Sequence, residues 1–196
     1  MKKLMVTVLL AAGALAVNAQ KVKLKEGSLD ALKGTTSLKV QYDYSDFKVI
    51  KKTEAEYIAE KKAKYNQDEP GRGDKWEVAW VHDREARYEV QFKEEFEHES
   101  KMTIDKASSD KYTLIFKTVF LEPGFNVHVM RKNAELDGEA WIVETANPTN
   151  VLAKISVENC KGYTFGGFDY DSGTRIQESY AVAGKGLGKF LRKATK

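Results

Sequence analysis

Residues 112–130, YTLIFKTVFLEPGFNVHVM, constrain the fold of this chain more than any other stretch. The first half of this stretch is a run of aromatic, aliphatic and β-branched side chains. In an extended strand, Tyr112 and Phe116 point to one face, and Ile115 and Val119 point to the other. Apolar side chains on both faces are typical of a strand that is covered on both faces. We therefore expect this strand to be central in a sheet.

The first 19 residues have the pattern of an export signal. Lys2 and Lys3 precede an apolar run over residues 4–17, and small residues then allow cleavage before Gln20. The apolar run is shorter than the ~20 residues that a membrane span needs. We therefore predict a signal peptide over residues 1–19 and no membrane span after cleavage. The mature protein is expected in the periplasm or outside the cell.

Removal of 19 of the 196 residues leaves 177, which is the usual size of one domain. The signal carries two of the 32 basic residues, so the mature chain has 30 basic against 29 acidic residues. This balance argues against a nucleic-acid partner, because a dedicated nucleic-acid binder presents a basic face. The one cysteine, Cys160, forms no internal disulfide. We therefore predict a single domain over residues 20–196 that is stabilised by packing.

Hydrophobic periodicity predicts the elements before the central strand. Residues 37–45 alternate apolar and polar side chains, which is typical of a half-buried strand. Thr53 and Glu56 form a capping box that starts a helix ending near residue 66. Asp74 with Glu77 repeats this signal and predicts a second, longer helix that lies on the sheet. Its apolar stripe consists of Trp76, Trp80, Tyr88, Phe92 and Phe96.

After the central strand we expect a hairpin, with arms over residues 134–145 and 151–158, and a last helix from Thr174. Glycine costs ~1 kcal/mol relative to alanine inside a helix, so glycines there indicate either a close neighbour or a kink. This helix carries three, Gly184, Gly186 and Gly188. The order β-α-α-β-β-β-α predicts an α+β domain. It would have one mixed or antiparallel sheet of four to five strands, with helices mainly on one face.

The sequence contains no set of residues with the spacing of a metal site or a catalytic site. Cys160 is the one cysteine, so the chain offers a zinc site at most one thiolate, whereas such a site needs about four ligands. No serine lies in a nucleophile motif. The acidic run over residues 94–99 is typical of a solvated helix end. The three histidines are His82, His98 and His128. We therefore predict a protein that is not an enzyme and that requires no metal or cofactor.

Five segments carry a family resemblance. They are the leader ending in NAQ, EPGRGDKW at residues 69–76, EPGFNV at 122–127, VETANPTNVLAKISV at 143–157 and GGFDYDSGTRIQESYAVAGKGLGKFL at 166–191. Together they resemble an uncharacterised family of secreted proteins from Bacteroides-type bacteria. The resemblance covers most of the mature chain and implies export, but it implies no activity.

The order of the predicted elements is similar to that of a second group of proteins. A lone first strand, a helical segment, a three-strand meander and a C-terminal helix also occur in the N-terminal domain of periplasmic TolB and in the curli-secretion lipoprotein. Those domains act in envelope assembly and as docking modules. This chain departs from the lipoproteins because it has no N-terminal cysteine. The resemblance implies a docking role by fold analogy only.

The first functional hypothesis is a non-catalytic interaction module that binds an envelope protein or a peptide. Binding would use an exposed sheet edge or a groove between helix and sheet. Its surface is expected in residues 70–74, 122–125 and 163–170, because binding residues tend to lie in loops. The candidate residues are Arg72, Asp74, Phe125, Tyr163, Phe165, Phe168 and Tyr170. An equally open interpretation is that these aromatic side chains cover the edge of the core.

Two other functions remain open at this point. The second hypothesis is a small-ligand carrier with a cavity of ~300 Å³ or more between the long helix and the sheet. The side chains that would line this cavity are Trp76, Trp80, Tyr88 and Phe92. The third hypothesis is a hydrolase. It needs His82 or His128 within hydrogen-bond reach of Cys160 or of a carboxylate.

Overall fold

The strand predicted from the apolar run is the centre of the main sheet. The computed structural model describes residues 20–127, 129–163 and 170–196, so the predicted signal peptide lies outside the described residues. The strands are β1 (Lys21–Gly27), β2 (Ser37–Asp43), β3 (Lys48–Val49), β4 (Lys52–Thr53), β5 (Thr103–Asp105), β6 (Tyr112–Glu122), β7 (Phe125–Asn126), β8 (Arg131–Lys132), β9 (Glu135–Glu144) and β10 (Asn147–Lys161). The helices are α1 (Glu54–Asp68), α2 (Arg72–Asp83), α3 (Glu89–Ser100) and α4 (Ser172–Ala194).

The main sheet has eight strands and is mixed. Six of them follow the hydrogen-bonded order β1-β10-β9-β6-β2-β5, and the hairpin β3-β4 joins the sheet where β3 pairs with β6. Strand β2 runs parallel to both β5 and β6, whereas β1, β10, β9 and β6 are antiparallel to one another in turn. Strands β7 and β8 form a separate hairpin. The α+β class and the mixed sheet are therefore confirmed.

The predicted number of four to five strands is wrong. Strand β1 lies in the Lys-rich segment before the first predicted strand, and it forms one edge of the sheet with its lysines exposed. Strands β3, β4 and β5 have two or three residues each, which is too short for an alternating pattern to be read. Strands β3 and β5 pair with the longer strands β6 and β2, and β4 pairs with β3. The sequence of a short segment does not show which strand it pairs with.

The two faces of the central strand β6 differ in burial. Leu114 and Phe116 are buried on the face that packs against α3 and α4. On the other face Val119 is 42% exposed, so the expectation of full cover on both faces is wrong. The outer face is instead covered by long side chains. The Lys117 and Lys154 ammonium groups each lie 5.0 Å from the centroid of the Trp141 ring, which is a cation–π distance, so two cations cover this partly buried ring.

The predicted long helix extends over residues 72–100 and contains a π-helical turn, Arg84–Tyr88, between α2 and α3. Arg84 Nη2 donates to both carboxylate oxygens of Glu54, at 2.6 and 2.5 Å, and thereby ties this turn to the start of α1. Tyr88 stacks on Tyr180 of α4 with the ring centroids 5.1 Å apart. The extra residue of the π turn therefore lets one helix meet both α1 and α4. No helix in the described ranges is long and apolar enough to cross a membrane.

Glycines on α4 allow close contact with α3. A Cβ at Gly184 would overlap the backbone carbonyl oxygen of Phe92, and one at Gly188 would lie 2.7 Å from that of Phe96. Gly186 faces the side-chain amide of Gln20 instead. Of the two explanations that the sequence left open, close packing applies at Gly184 and Gly188, and α4 runs without interruption from Ser172 to Ala194.

We expect Gly184→Ala to lower the free energy of unfolding by about 1–3 kcal/mol, because the new methyl group meets a fixed backbone atom. Gly186→Ala is the matched control. Its methyl group displaces only the flexible end of Gln20, and alanine favours the helix by up to ~1 kcal/mol, so stability should be unchanged or higher. Chemical denaturation of the mature protein measures both variants. Equal stabilities for the two variants would contradict the close packing.

Candidate functional site

Several loops meet at one end of the main sheet, which we call the loop end. Strand β6 finishes there at Glu122, opposite Glu135 at the start of β9, and Glu135 also pairs with Lys161 at the end of β10. The hairpin β3-β4 joins β6 at this end through the pairing of Val49 with Leu121. The loop end therefore includes the β3-β4 turn, the described residues between β6 and β9, and the described residues between β10 and α4.

Helix α1 begins at the predicted capping box, which is confirmed. The Thr53 hydroxyl accepts from the Glu56 N–H, and the Glu56 carboxylate accepts from the Thr53 N–H.

The α1-α2 hairpin supplies three aromatic side chains beside the loop end, Tyr57, Tyr65 and Trp76, which we call the aromatic wall. The Tyr57 ring lies 6.1 Å from that of Trp76, and Trp76 lies 5.7 Å from Tyr65. Burial raises the pKa of Tyr57 to about 12. Tyr57 therefore stays neutral and acts as an apolar surface at ordinary pH.

Two predicted site residues lie at the start of α2, and the prediction for Asp74 is partly wrong. The helix begins at Arg72 after Gly71, so Asp74 lies in the first turn and is not the N-cap. Asp74 pairs with Lys62 of α1 at 2.9 Å and accepts from Asn66 Nδ2 at 3.2 Å. These contacts hold the pKa of Asp74 below its usual value. Asp74 therefore joins α1 to α2.

Arg72 is exposed and lies against the aromatic wall. Its guanidinium carbon is 5.0 Å from the centroid of the Tyr65 ring, which is a cation–π distance. No carboxylate in the described part of the chain pairs with Arg72 at 4 Å or less. Arg72 is thus in a position to contact an anionic group of a partner.

Phe125 and Tyr170, which the sequence places 45 residues apart, line the same cleft. We call it the aromatic cleft. Its volume is about 190 Å³, and its other walls include Tyr65, Trp76 and Arg175. Arg175 is 5% exposed, and it donates from Nε to the Pro123 carbonyl at 3.0 Å and from Nη2 to the Gly124 carbonyl at 3.2 Å. The buried guanidinium therefore fixes the turn that presents Phe125.

The remaining predicted site residues belong to the segment between β10 and α4. Tyr163 is 68% exposed and Tyr170 is 57% exposed. Phe165 and Phe168 lie outside the described residues. Asp171 caps α4 by accepting from the N–H groups of Gly173 and Thr174, as expected for an Asx-type turn.

A second cleft at the loop end was not predicted from the sequence. We call it the Ile50 cleft, because Ile50 and Phe125 line it together with Tyr57 and the lysines 51, 52 and 61. Its volume is about 420 Å³, within the ~300–1,000 Å³ range of ligand pockets. Ile50 is 44% exposed and Phe125 is 40% exposed. Two large apolar side chains therefore border a concave surface without being buried.

The charges around the Ile50 cleft are unevenly paired. Two carboxylates line it, and each already has a lysine partner: Glu60 pairs with Lys52, and Glu122 pairs with Lys132 at 2.6 Å. Lys61 lies 5.7 Å from the centroid of the Tyr57 ring and has no carboxylate partner in the described ranges. Lys51 likewise has none among those residues. The cleft therefore carries a net positive charge.

The hairpin β7-β8 extends the apolar surface of the loop end. Val127, Val129 and Met130 are 54%, 87% and 62% exposed. The Val127 N–H donates to the Met130 carbonyl at 3.0 Å, which closes the turn. Contiguous exposed apolar side chains on a protein surface mark interaction sites more often than isolated ones do.

Among the described residues, Cys160, the thiol of the hydrolase hypothesis, is not paired with a histidine. Cys160 is buried, and burial raises the pKa of its thiol to about 12, so it is not a thiolate at neutral pH. Its hydrogen-bond partner is the Gln20 side-chain amide, at 3.5 Å. His82 is exposed on α2, and His128 lies outside the described residues.

Two further groups of polar residues are occupied by internal ion pairs. Glu95, His98 and Glu99 lie within 4.8 Å of one another, and the two carboxylates face Lys185 and Lys189 of α4 at 3.6 Å. These pairs join α3 to α4. Burial also raises the pKa of Glu89, which pairs with Lys106 from the segment after β5.

The aromatic stripe that the carrier hypothesis assigned to a ligand cavity is packed in the core. Phe92 is fully buried, and its ring centroid lies 4.5 Å from that of Phe116 on β6. Trp80 and Tyr88 are 5% and 3% exposed. Trp76, at the outer end of the stripe, faces the aromatic cleft.

Ile50 has a backbone conformation that a β-branched residue rarely adopts. It is the first of two residues that join β3 to β4, and its φ is +62°. Positive φ at the first central residue only is the pattern of a type II′ turn, which has glycine at this position. The Ile50 N–H donates to the Leu121 carbonyl at 2.9 Å, which fixes the conformation.

We expect Ile50→Gly to be more stable than Ile50→Ala by about 1 kcal/mol, because glycine adopts positive φ without strain and alanine does not. The control is the same pair of substitutions at Val90 of α3, which is 42% exposed. There alanine should be the more stable by ~1 kcal/mol. Thermal or chemical unfolding gives the two differences. The same order at both positions would contradict the strained turn.

No protein-family model and no curated protein matches this chain. Among solved structures the chain is similar to the PelC dodecamer from Paraburkholderia phytofirmans, with 11% sequence identity and a TM-score of 0.40. The match covers 84% of this chain and 97% of that chain. A variant of the same dodecamer matches with 10% identity and a TM-score of 0.37, over 84% and 98% of the two chains. Similarity at this level carries no argument about function or assembly.

Proposed function

We propose that the protein is a non-catalytic, exported interaction module that binds an envelope protein or a peptide at the loop end. The observation that carries the proposal is the meeting of Phe125, Tyr170 and the aromatic wall of the α1-α2 hairpin around one cleft. These side chains come from three separate parts of the chain. Aromatic and arginine side chains that border a cleft are typical of the residues that dominate binding energy at interfaces.

A partner is more readily bound in a groove of the loop end than along an edge of the main sheet. Strand β1 forms one edge of the main sheet, and its lysines 21, 23 and 25 are all exposed. Lysines on an edge strand prevent pairing with another strand. Strand β5, at the other end of the strand order, has three residues and offers little backbone to a partner. Binding in the clefts of the loop end is therefore the favoured route.

The test is capture of partners from envelope extract on the immobilised mature protein, followed by measurement of affinity for the partner that is captured. We expect Phe125→Ala and Arg72→Ala each to weaken binding about tenfold or more, as loss of an interface hot spot does. Neither side chain is buried in the core, so the fold should be retained.

Two variants serve as matched controls. Val119→Ala removes an apolar side chain of similar exposure from the outer face of the sheet. Arg192→Ala removes an exposed arginine from the far end of α4, which is roughly 30 Å from Ser172 along the helix. Both should bind as the wild type does. Equal loss in Val119→Ala, or full binding by Phe125→Ala, would contradict the proposal.

A further inference from the structure

The Ile50 cleft has the features of a pocket for one large apolar side chain. Ile50 and Phe125, which are 44% and 40% exposed, line this cleft together with Tyr57, which is 9% exposed. The turn before Phe125 is fixed, because Arg175 donates to the carbonyls of Pro123 and Gly124. A partner side chain between Ile50 and Phe125 would bury apolar surface on both.

The backbone at Ile50 indicates that the side chain itself is required. A two-residue hairpin turn with positive φ at its first residue forms most readily with glycine. The chain instead holds an isoleucine there at φ +62°. That side chain is 44% exposed, so packing in the core does not explain its presence. Strained residues that the surrounding structure holds in place are concentrated at ligand-binding positions.

The charge of the cleft selects the kind of partner. Glu60 and Glu122 are neutralised by lysines, whereas Lys51 and Lys61 have no carboxylate partner in the described part of the chain. Two cations therefore remain at the rim of an apolar pocket. An acidic partner would be attracted to this rim, and a basic partner would be repelled.

We propose that the Ile50 cleft binds an acidic peptide segment of a partner protein. One large apolar side chain of the segment lies between Ile50 and Phe125, and its carboxylates contact Lys51 and Lys61. This inference rests on the proposed function, since it specifies the partner of the same surface. A peptide fits better than a lipid surface, because the pocket is concave with a volume of about 420 Å³ and a flat bilayer would not fill it.

The inference is tested by selecting peptides from a random displayed library on the immobilised mature protein. We expect the selected peptides to have an excess of Asp and Glu around one aromatic or large aliphatic residue. Binding of a selected peptide is then measured by fluorescence anisotropy. The double charge reversal Lys51→Glu/Lys61→Glu should weaken it about tenfold or more.

Two further variants separate binding from folding. Ile50→Gly relieves the strained turn and should melt no lower than the wild type, but it should bind the selected peptide at least about fivefold more weakly. Lys64→Glu/Lys193→Glu changes the net charge by the same amount at exposed lysines that do not line the cleft, and it should bind as the wild type does.

The outcomes that overturn the inference are distinct from those that overturn the proposed function. Selected peptides without an acidic excess, or binding that survives the charge reversal and Ile50→Gly, would overturn the inference and leave the interaction module intact. A library that yields no peptide would overturn the inference alone, because the proposed function also covers a folded envelope protein. Binding to phosphatidylglycerol vesicles in place of peptides, lost in the same variants, would replace the acidic peptide with an anionic membrane.

Discussion

The fold depends on the close approach of α4 to α3. Gly184 and Gly188 face the backbone carbonyls of Phe92 and Phe96, which leaves no room for a side chain between the two helices. This approach lets Tyr180 enter the core, where it is 1% exposed, stacks on Tyr88 and shares a hydrogen bond with the Thr118 hydroxyl at 2.7 Å. The helix pair is therefore joined to the inner face of the central strand β6 at Phe116 and Thr118.

The same contact determines the geometry of the loop end. Because α4 is fixed on the sheet, its first turns lie beside the end of β6, and Arg175 donates to the carbonyls of Pro123 and Gly124. The π-helical turn connects α1 to the same helices, because Arg84 in that turn pairs with Glu54 at the start of α1. Phe125 and the aromatic wall are thus fixed by contacts within the chain, and Ile50 is fixed by its hydrogen bond to Leu121. A preformed surface of this kind loses little conformational entropy on binding.

Patterns that repeat along one element could be predicted from the sequence. The central strand, the capping box at Thr53 and the aromatic stripe of the long helix all belong to this class. Features that depend on a partner element could not be predicted. The two-residue strands β3 and β4 exist only through pairing, and the positive φ of Ile50 follows from that pairing. Phe125 and Tyr170 belong to separate segments of the chain that meet only after folding, at the aromatic cleft. Both were predicted as binding residues from their loops, but the sequence could not place them in one cleft.

We propose that the loop end, and not the outer face of the sheet, contacts a partner in the cell envelope. The most direct measurement replaces Phe125 with a photo-reactive phenylalanine analogue in cells that export the protein, with Val119 replaced in the same way as a reference. These positions are 40% and 42% exposed. The account predicts a discrete cross-linked envelope protein from position 125 and none from position 119. The same product from position 119, or no product from position 125, would contradict it.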